Sequence, residues 1–372
     1  MLLYVSTGEG QDREPRPLHA IPDTVSGLYL LGMREHLRAA VMLHAGDGGW
    51  LDTPDWRFDR HVIRLALYAR EQHGVEKGQW MAVLGPLDPL WIAAEFAALG
   101  WGATCVGLAH TLSDQEVRAA LDETAARVAV ATDLESARRL LALRREVPTL
   151  ETVLAPAGAG EGAVDLGEAV DLAANLDTPE RAQAFRASAS SVEPDRPALW
   201  HYAPGSGGAV EVSRLTHREA MARVRERLTA LPARRGERAY FESRTVSAAV
   251  RLAIYAFVGD GYTTIVLGRP GRAAEDFAAH APARILASSA WLEELHRDLD
   301  TVSAGAFRDG AFPLWRRLRA ALAARRLRRR VRERTGGQLR LVESLEAAPA
   351  SLGPLLGAAG VTLAQGKGEQ GA

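Results

Sequence analysis

The sequence predicts an α/β fold in which parallel sheets are flanked by helices. Short apolar runs of strand length alternate with segments of helix length, and this alternation is typical of βαβ units with a buried parallel sheet. The chain has 372 residues, of which 47% are hydrophobic and 24% are charged. This is ordinary globular composition, and the length is sufficient for two domains, each with its own core.

Local signals along the chain place the individual elements. Residues 57–73 carry apolar side chains at helical spacing, and a glycine ends that helix. Ser113 with Glu116, and Thr216 with Glu219, have the spacing of capping boxes that begin two further helices. The other predicted helices span 89–100, 134–147, 246–258, 273–280, 291–299 and 316–334. The predicted strands span 80–85, 103–108, 126–132, 150–155, 197–203, 238–243, 262–268, 283–288, 339–344 and 361–365.

Composition shifts suggest how the chain is divided. Residues 1–22 are charged and contain several prolines, which predicts a flexible lead-in. Residues 156–195 are rich in Ala, Gly, Glu and Asp and lack a β-branched run, so we interpret them as a surface excursion near a boundary. We therefore expect a first α/β subdomain over 23–190 and a second over 191–372.

Charge and cysteine content exclude several classes of protein. The 45 basic and 46 acidic side chains give a net charge of −1, which argues against a general nucleic-acid binder. Cys105 is the single cysteine, so neither a disulfide framework nor a cysteine zinc cluster is expected. The N-terminus lacks the features of a signal peptide, and the most apolar stretch, 89–109, carries Glu95. We predict a cytoplasmic protein without a transmembrane segment or a histidine metal site.

Residues 202–217, YAPGSGGAVEVSRLTH, form the strongest local constellation. Gly205, Gly207 and Gly208 permit close backbone approach to a phosphate, and the Ser206 hydroxyl could donate a hydrogen bond. The segment matches neither the P-loop pattern nor the dinucleotide-binding pattern. On composition alone, a plain flexible connection explains it equally well and is the favoured alternative.

The predicted helix 316–334 contains ten arginines and a single acidic residue, Glu333. One hypothesis is contact with an anionic surface, either a membrane or a CoA-type phosphate. The favoured alternative is a solvated helix. It would turn four apolar side chains inward, namely Leu318, Leu322, Leu327 and Val331.

The order of three segments resembles the N-terminal half of the adenylate-forming (AMP-binding) superfamily, and within it the long-chain fatty acyl-CoA synthetases. These segments are KGQWMAVLG, PLWIAAEFAALGWGATCVGL and AHTLSDQEVRAALDETAARVAVA. Residues 202–217 then align without a gap on the family's phosphate loop, which typically reads YTSGTTGKPKGVMLTH. Residues 336–344 resemble the strand before the family's adenine turn, and residues 360–369 resemble the segment that carries its Y-G-x-T-E motif.

The resemblance implies a set of site residues. The expected phosphate-loop residues are Tyr202, Gly205, Ser206, Gly207, Gly208, Thr216 and His217. The adenine turn would include Ser344 and Ala347, and Glu369 would assist a magnesium ion. The implied reaction consumes ATP and a fatty acid to form an acyl-adenylate, from which CoA displaces AMP. The implied class is an acid–thiol ligase that uses ATP, Mg and CoA.

Several departures from the family pattern fall on the chemistry. Ala209 and Glu211 stand where the family places lysines, and the chain has only two lysines, Lys77 and Lys367. The family would also continue beyond residue 372 with a small C-terminal domain that bears a catalytic lysine. We therefore hold two hypotheses. The first is an acyl-CoA synthetase-like protein with impaired catalysis, completed by a protein partner. The second is a non-catalytic scaffold or regulatory subunit of a lipid or polyketide pathway.

Overall fold

The structure is a computed structural model that describes residues 2–3, 16–17, 21–35, 38–46, 48–230, 232–303, 313–345 and 347–365. Its strands are β1 (Leu2–Leu3), β2 (Arg16–Pro17), β3 (Met42–Gly46), β4 (Gly49–Thr53), β5 (Trp80–Leu84), β6 (Thr104–Leu108), β7 (Val128–Ala131), β8 (Thr152–Ala155), β9 (Ala163–Asp165), β10 (Pro197–Pro204), β11 (Val210–Thr216), β12 (Arg238–Phe241), β13 (Thr264–Leu267), β14 (Arg284–Ala287), β15 (Leu341–Ser344) and β16 (Thr362–Gln365).

Helices alternate with these strands as predicted. They are α1 (Val25–Glu35), α2 (Asp55–His73), α3 (Pro89–Gly100), α4 (Asp114–Thr124), α5 (Leu134–Leu143), α6 (Leu166–Leu172), α7 (Pro179–Ser191), α8 (His217–Ala230), α9 (Ala248–Asp260), α10 (Ala273–His280), α11 (Ser289–Ser303), α12 (Pro313–Thr335) and α13 (Leu352–Ala359). Short 3-10 turns occur at Ala173–Asn175 and Ser206–Gly208.

The first large sheet has the strand order β11-β10-β6-β5-β7-β8-β9. All neighbours in it are parallel except β10 and β11, which are antiparallel. The residues of β6, β7 and β8 are all buried, as expected for parallel strands covered on both faces. The antiparallel edge follows from chain length, because a short connection joins two neighbouring strands only as a hairpin.

The second large sheet has the order β16-β15-β14-β12-β13-β3-β4, and its pairs from β13 through β16 are parallel. Its core includes Tyr240, Phe277, Leu292 and Val342. The predicted α/β class with helix-flanked sheets is confirmed, with the addition that the first sheet carries an antiparallel edge. Strands β1 and β2 form a separate two-stranded antiparallel sheet.

The described residues group into two compact units. One takes its residues from 1–42, 52–236 and 245–263, and the other from 43–51, 237–244 and 264–372. Strands β10 and β11 lie in the first unit, because β10 pairs with β6. The division of the chain at residue 190 stays a prediction, and so does the flexible lead-in, because most of 1–22 lies outside the described residues.

The interpretation of 156–195 as a surface excursion is wrong. This segment contains β9 at the edge of the first sheet, followed by α6 and α7. Phe185 of α7 is fully buried, and its ring lies 5.4 Å from that of Trp101. A Cβ on Gly100 would lie 2.2 Å from the Phe185 ring, so this glycine permits α3 and α7 to pack closely. Helix α7 is rich in alanine, and Phe185 is its single large buried side chain, so its local sequence pattern did not indicate a packed helix.

Candidate functional site

The glycine segment at 205–209 is the tip of a β-hairpin. Its arms are β10 and β11, and Tyr202 lies opposite Val212 in their register. The Gly205 N–H donates to the Ala209 carbonyl at 2.7 Å and closes the tip. The flexible connection that composition favoured is therefore an ordered turn between two paired strands.

The three glycines have separate roles in this tip. A Cβ on Gly205 would lie 3.1 Å from the Ala209 carbonyl oxygen and 3.3 Å from the Glu211 Cβ, so the backbone approaches closely there. Gly207 and Gly208 have φ values of +71° and +82° and face open space. Glycine adopts this region without a steric penalty, and successive turn residues can direct N–H groups into an anion-binding concavity. The tip is therefore a candidate anion site.

The two positions at which the family pattern places lysines, Ala209 and Glu211, carry no positive charge. Glu211 is exposed on β11, and Lys77 is ion-paired with Glu193 at 3.2 Å. Lys367 lies outside the described residues. Arg214 on β11 is ion-paired with Glu123 at 2.7 Å. Within residues 205–209, the groups that could contact an anion include backbone N–H groups such as that of Ser206 in the 3-10 turn.

Tyr202 begins the candidate loop but belongs to the core of the first sheet. Its side chain is buried and packs with Leu108 and Ala109 among the core residues of this sheet. Burial, followed by the nearby Glu123 carboxylate, raises the pKa of Tyr202 to about 12. The phenol is therefore neutral at physiological pH.

The predicted capping box at the start of α8 is confirmed. The Thr216 N–H and hydroxyl donate to the Glu219 carboxylate at 2.8 and 2.9 Å. In return, the Glu219 N–H donates to the Thr216 hydroxyl at 3.2 Å. The capping box at Ser113 and Glu116 is also present. The Thr216 hydroxyl is thus engaged in starting the helix, and its role toward a nucleotide stays a prediction.

His217 is fully buried at the first position of α8. Its Nδ1 accepts a hydrogen bond from the Val25 N–H at 3.1 Å, so the ring proton belongs on Nε2. Burial, followed by the positive charge of Arg196, lowers the pKa of His217 to about 4. The neutral ring joins the start of α1 to the start of α8, and nucleotide contact by this residue stays a prediction.

A buried ion pair lies next to β10, and sequence reasoning missed it. The Arg251 Nε on α9 donates to the Glu95 carboxylate on α3 at 2.8 Å, and both side chains are fully buried. The Arg251 Nη1 donates to the Trp200 carbonyl at 2.7 Å, and its Nη2 donates to the Cys105 carbonyl at 3.0 Å. The Tyr255 hydroxyl donates to the same carboxylate. Arg251 therefore links two helices to the two strands β6 and β10.

His201 lies beside this pair, one residue before Tyr202. A Cβ on Gly107 would lie 2.6 Å from the His201 Nδ1 and 3.0 Å from the Arg251 Nη1, so a larger residue does not fit on β6 there. Burial, followed by the charge of Arg251, lowers the pKa of His201 to about 3. Strand β10, which leads into the glycine tip, thus accepts a hydrogen bond from Arg251 at Trp200 and buries His201 beside it.

The predicted adenine turn lies at the end of β15, in the second unit. Ser344 is the last residue of this strand, is buried, and is paired in register with Gln365 of β16. The Leu345 N–H that follows donates to the Ala287 carbonyl at 3.1 Å. Ala347 is described and exposed. Glu369, the predicted magnesium residue, lies outside the described residues.

Two further expectations concern absences within the described ranges. These residues include no group of three or more His, Cys, Asp or Glu side chains arranged to hold a metal ion. Among the helices given above, none is both long and apolar enough to cross a membrane.

Of the four apolar residues predicted to turn inward from α12, Leu327 and Val331 are buried, whereas Leu322 is 46% exposed. The side chain of Leu318 lies outside the described part.

Comparison with known proteins shows the class of this chain. The family model for AMP-binding enzymes matches residues 57–344, which is well over half of the sequence. The chain therefore belongs to the AMP-binding enzyme family.

Similar proteins include long-chain fatty-acid–CoA ligases. The ligase FadD15 from Mycobacterium bovis and that from Mycobacterium tuberculosis are each 27% identical over 218 residues, which is 58% of this chain and 35% of theirs. The ligase heimdall from Drosophila melanogaster is 29% identical over 121 residues, which is 32% of this chain and 18% of that protein. The alignment thus spans about a third or less of these relatives.

Solved structures show the same fold at low identity. The inhibitor-bound N-terminal domain of FACL13 from Mycobacterium tuberculosis has a TM-score of 0.68 at 15% identity, covering 93% of this chain and 75% of that one. The A-PCP didomain of a carboxylic acid reductase from Segniliparus rugosus, in complex with AMP, has a TM-score of 0.66 at 15% identity, covering 94% and 53%. Similarity at this level establishes the fold of an adenylation domain.

Proposed function

We propose that this chain binds an acyl-adenylate and belongs functionally to the acyl-activating branch of its family. The family reaction joins a fatty acid to AMP at the expense of ATP. The observation that supports the proposal is the glycine tip of the β10–β11 hairpin, where Gly207 and Gly208 have positive φ and where no atom of the described residues lies within 4 Å of a Cβ built on either of them. Its backbone N–H groups would hold phosphate oxygens of the nucleotide.

The same tip argues for weak binding of the ATP triphosphate. A lysine about 4 Å from a phosphate contributes several kcal/mol before desolvation, at an effective dielectric constant of about 20. Glu211 occupies such a lysine position in the family alignment and is exposed on β11. If screening leaves ~3 kcal/mol of this difference, affinity for ATP falls by roughly two decades. We therefore propose that catalysis by this chain is impaired and that a protein partner supports it.

A non-catalytic role as scaffold or regulatory subunit is the second candidate. Glu211 favours this role as well, because an acidic side chain repels the negatively charged phosphates that the reaction must bind. Magnesium and CoA enter both proposals only through the family resemblance. The residue that would assist magnesium, Glu369, lies outside the described residues, and we derive no step from it.

A charge-restoration experiment tests the proposal. The double variant Ala209→Lys with Glu211→Lys is expected to bind Mg·ATP about 100-fold more tightly than the unmodified chain, by the electrostatic argument above. Isothermal titration calorimetry measures the affinity. The control is Glu161→Lys, which reverses an exposed charge just before β9, at the opposite edge of the sheet. Equal ATP affinity in the double variant, the control and the unmodified chain would contradict an intact phosphate loop.

A further inference from the structure

A small cavity lies beside the arginine-rich helix, within the second unit. Its volume is about 290 Å³, and its walls include Arg328 and Arg332 of α12, the backbone of Gly337 and Gly360, and the side chains of Val331 and Val361. Gly337 follows the end of α12, and Gly360 follows the end of α13. The cavity therefore lies at the ends of two helices and next to the start of β16.

The two arginines of the cavity differ from their neighbours on the helix. Arg329 pairs with Glu333, Arg330 pairs with Asp298, and Arg334 pairs with both Glu294 and Asp298. Within the described ranges, no carboxylate lies within ion-pair distance of Arg328 or Arg332. These two side chains are four residues apart, on the same side of the helix, and are exposed. Like charges at this spacing repel each other, so an anion bound between them would relieve the repulsion.

A simpler explanation is that Arg328 and Arg332 stabilise the dipole of α12. This explanation accounts for only one of the two arginines. A helix C-terminus carries a partial charge of about −0.5, and its influence fades within the last turn. Arg332 lies in that turn of α12, but Arg328 lies seven residues before Thr335, the end of the helix. Two full positive charges also exceed the partial negative charges of the two helix ends. The cavity therefore carries net positive charge.

Size and chemistry narrow the ligand. Pockets for drug-sized molecules begin at about 300 Å³, so this cavity suits a small anion or a headgroup better than a whole nucleotide. A guanidinium group binds phosphate through two parallel N–H donors. We propose that this cavity binds a phosphate-bearing group of pyrophosphate or lipid-headgroup size, held by Arg328 and Arg332. The proposal is independent of the glycine tip, which belongs to the first unit.

Hydrogen–deuterium exchange with inorganic pyrophosphate as the probe tests the proposal. Peptides that cover 328–339 and 352–361 should become protected, whether or not peptides of the glycine tip also respond. In calorimetry at low salt, the loss of either arginine should weaken pyrophosphate binding at this cavity about tenfold, as expected for charge-assisted hydrogen bonds. The test variant is Arg328→Gln with Arg332→Gln. The matched control is Arg297→Gln with Arg326→Gln, which removes two exposed arginines of the same unit that do not line the cavity.

Vesicle sedimentation distinguishes the two sources of the phosphate. Binding to phosphatidate vesicles, but not to phosphatidylcholine vesicles, together with competition by pyrophosphate, would support a lipid headgroup. Protection by pyrophosphate without vesicle binding would support a soluble phosphate compound. Two outcomes would overturn the proposal. One is no protection at 328–339 and 352–361 with either probe, and the other is an equal loss of binding in the control and the test variant.

Discussion

The pair Glu95–Arg251 shows how single residues set the framework beneath the candidate site. Both side chains are fully buried, and Arg251 also donates to backbone carbonyls of β6 and β10. A buried charge that loses its partner is strongly destabilising, whereas replacing both partners by apolar residues costs much less. The pair therefore matters most when it is half removed.

The variant Arg251→Met is expected to lower the free energy of unfolding by about 3–5 kcal/mol, because it leaves the Glu95 carboxylate buried and unpaired. The double variant Glu95→Leu with Arg251→Met should recover most of this loss. Urea denaturation monitored by circular dichroism measures both effects. Arg218→Met is the control, because the ion pair of Arg218 with Asp195 is exposed, and its removal should leave the midpoint unchanged. A double variant as unstable as Arg251→Met would contradict this view of the pair.

At the scale of elements, the hairpin of β10 and β11 carries the glycine tip, and α8 follows it directly in the chain. His201 precedes the tip on β10, and His217 is the first residue of α8. Both rings are held neutral, with pKa values of about 3 and about 4. The fold of β10 and α8 therefore requires both histidines to be uncharged.

Stability should consequently fall as the pH drops from 6.5 to 5. In this window the unfolded chain binds protons on both histidines and the folded chain does not, so the unfolded state is favoured. Each ring should contribute about 2 kcal/mol of loss at pH 5 relative to neutral pH. Urea midpoints across this range measure the effect. In His217→Asn, whose amide oxygen can accept from the Val25 N–H, the pH dependence should be smaller. A pH dependence identical to that of the unmodified chain would contradict a neutral buried His217.

Sequence reasoning succeeded where the signal is local. The boxes at Ser113 and Thr216 were predictable because both partners lie within four residues. Strand β11 was missed, because VEVSRLT alternates apolar and polar residues only over its first four positions and then breaks the pattern at Arg214. The glycine content drew attention to the loop rather than to the strand after it.

Contacts distant in sequence set the limit of prediction. Glu95 and Arg251 lie 156 positions apart; Glu95 is the lone charged residue of α3, and Arg251 is the lone basic residue of α9. A charged side chain within an otherwise apolar stretch of each helix is the signal that could have predicted this ion pair. The orientation of the two arginines beside the cavity depends on the packing of α13 near the end of α12, which no local pattern encodes.

At the scale of the whole molecule, the chain has the fold of its family, while the segment 202–217, which resembles the family's phosphate loop, departs from the family pattern at its lysine positions. Membership rests on residues 57–344, and Gly207 and Gly208 in the glycine tip have positive φ values, on which our proposal of an anion site rests. Ala209 and Glu211 stand where the family pattern has lysines. An acyl-adenylate carries one phosphate and a large apolar part, so it depends less on those charges than ATP does.

Calorimetric titration of the unmodified protein with a non-hydrolysable acyl-adenylate analogue tests the central claim most directly, with Mg·ATP titrated in parallel. We expect one-to-one binding of the analogue in the micromolar range, and ATP binding weaker by an order of magnitude or more. Thermal unfolding of the same sample verifies that the protein is folded. Absence of analogue binding to the folded protein would contradict the claim that an adenylate site survives, and would leave the scaffold role as the better account.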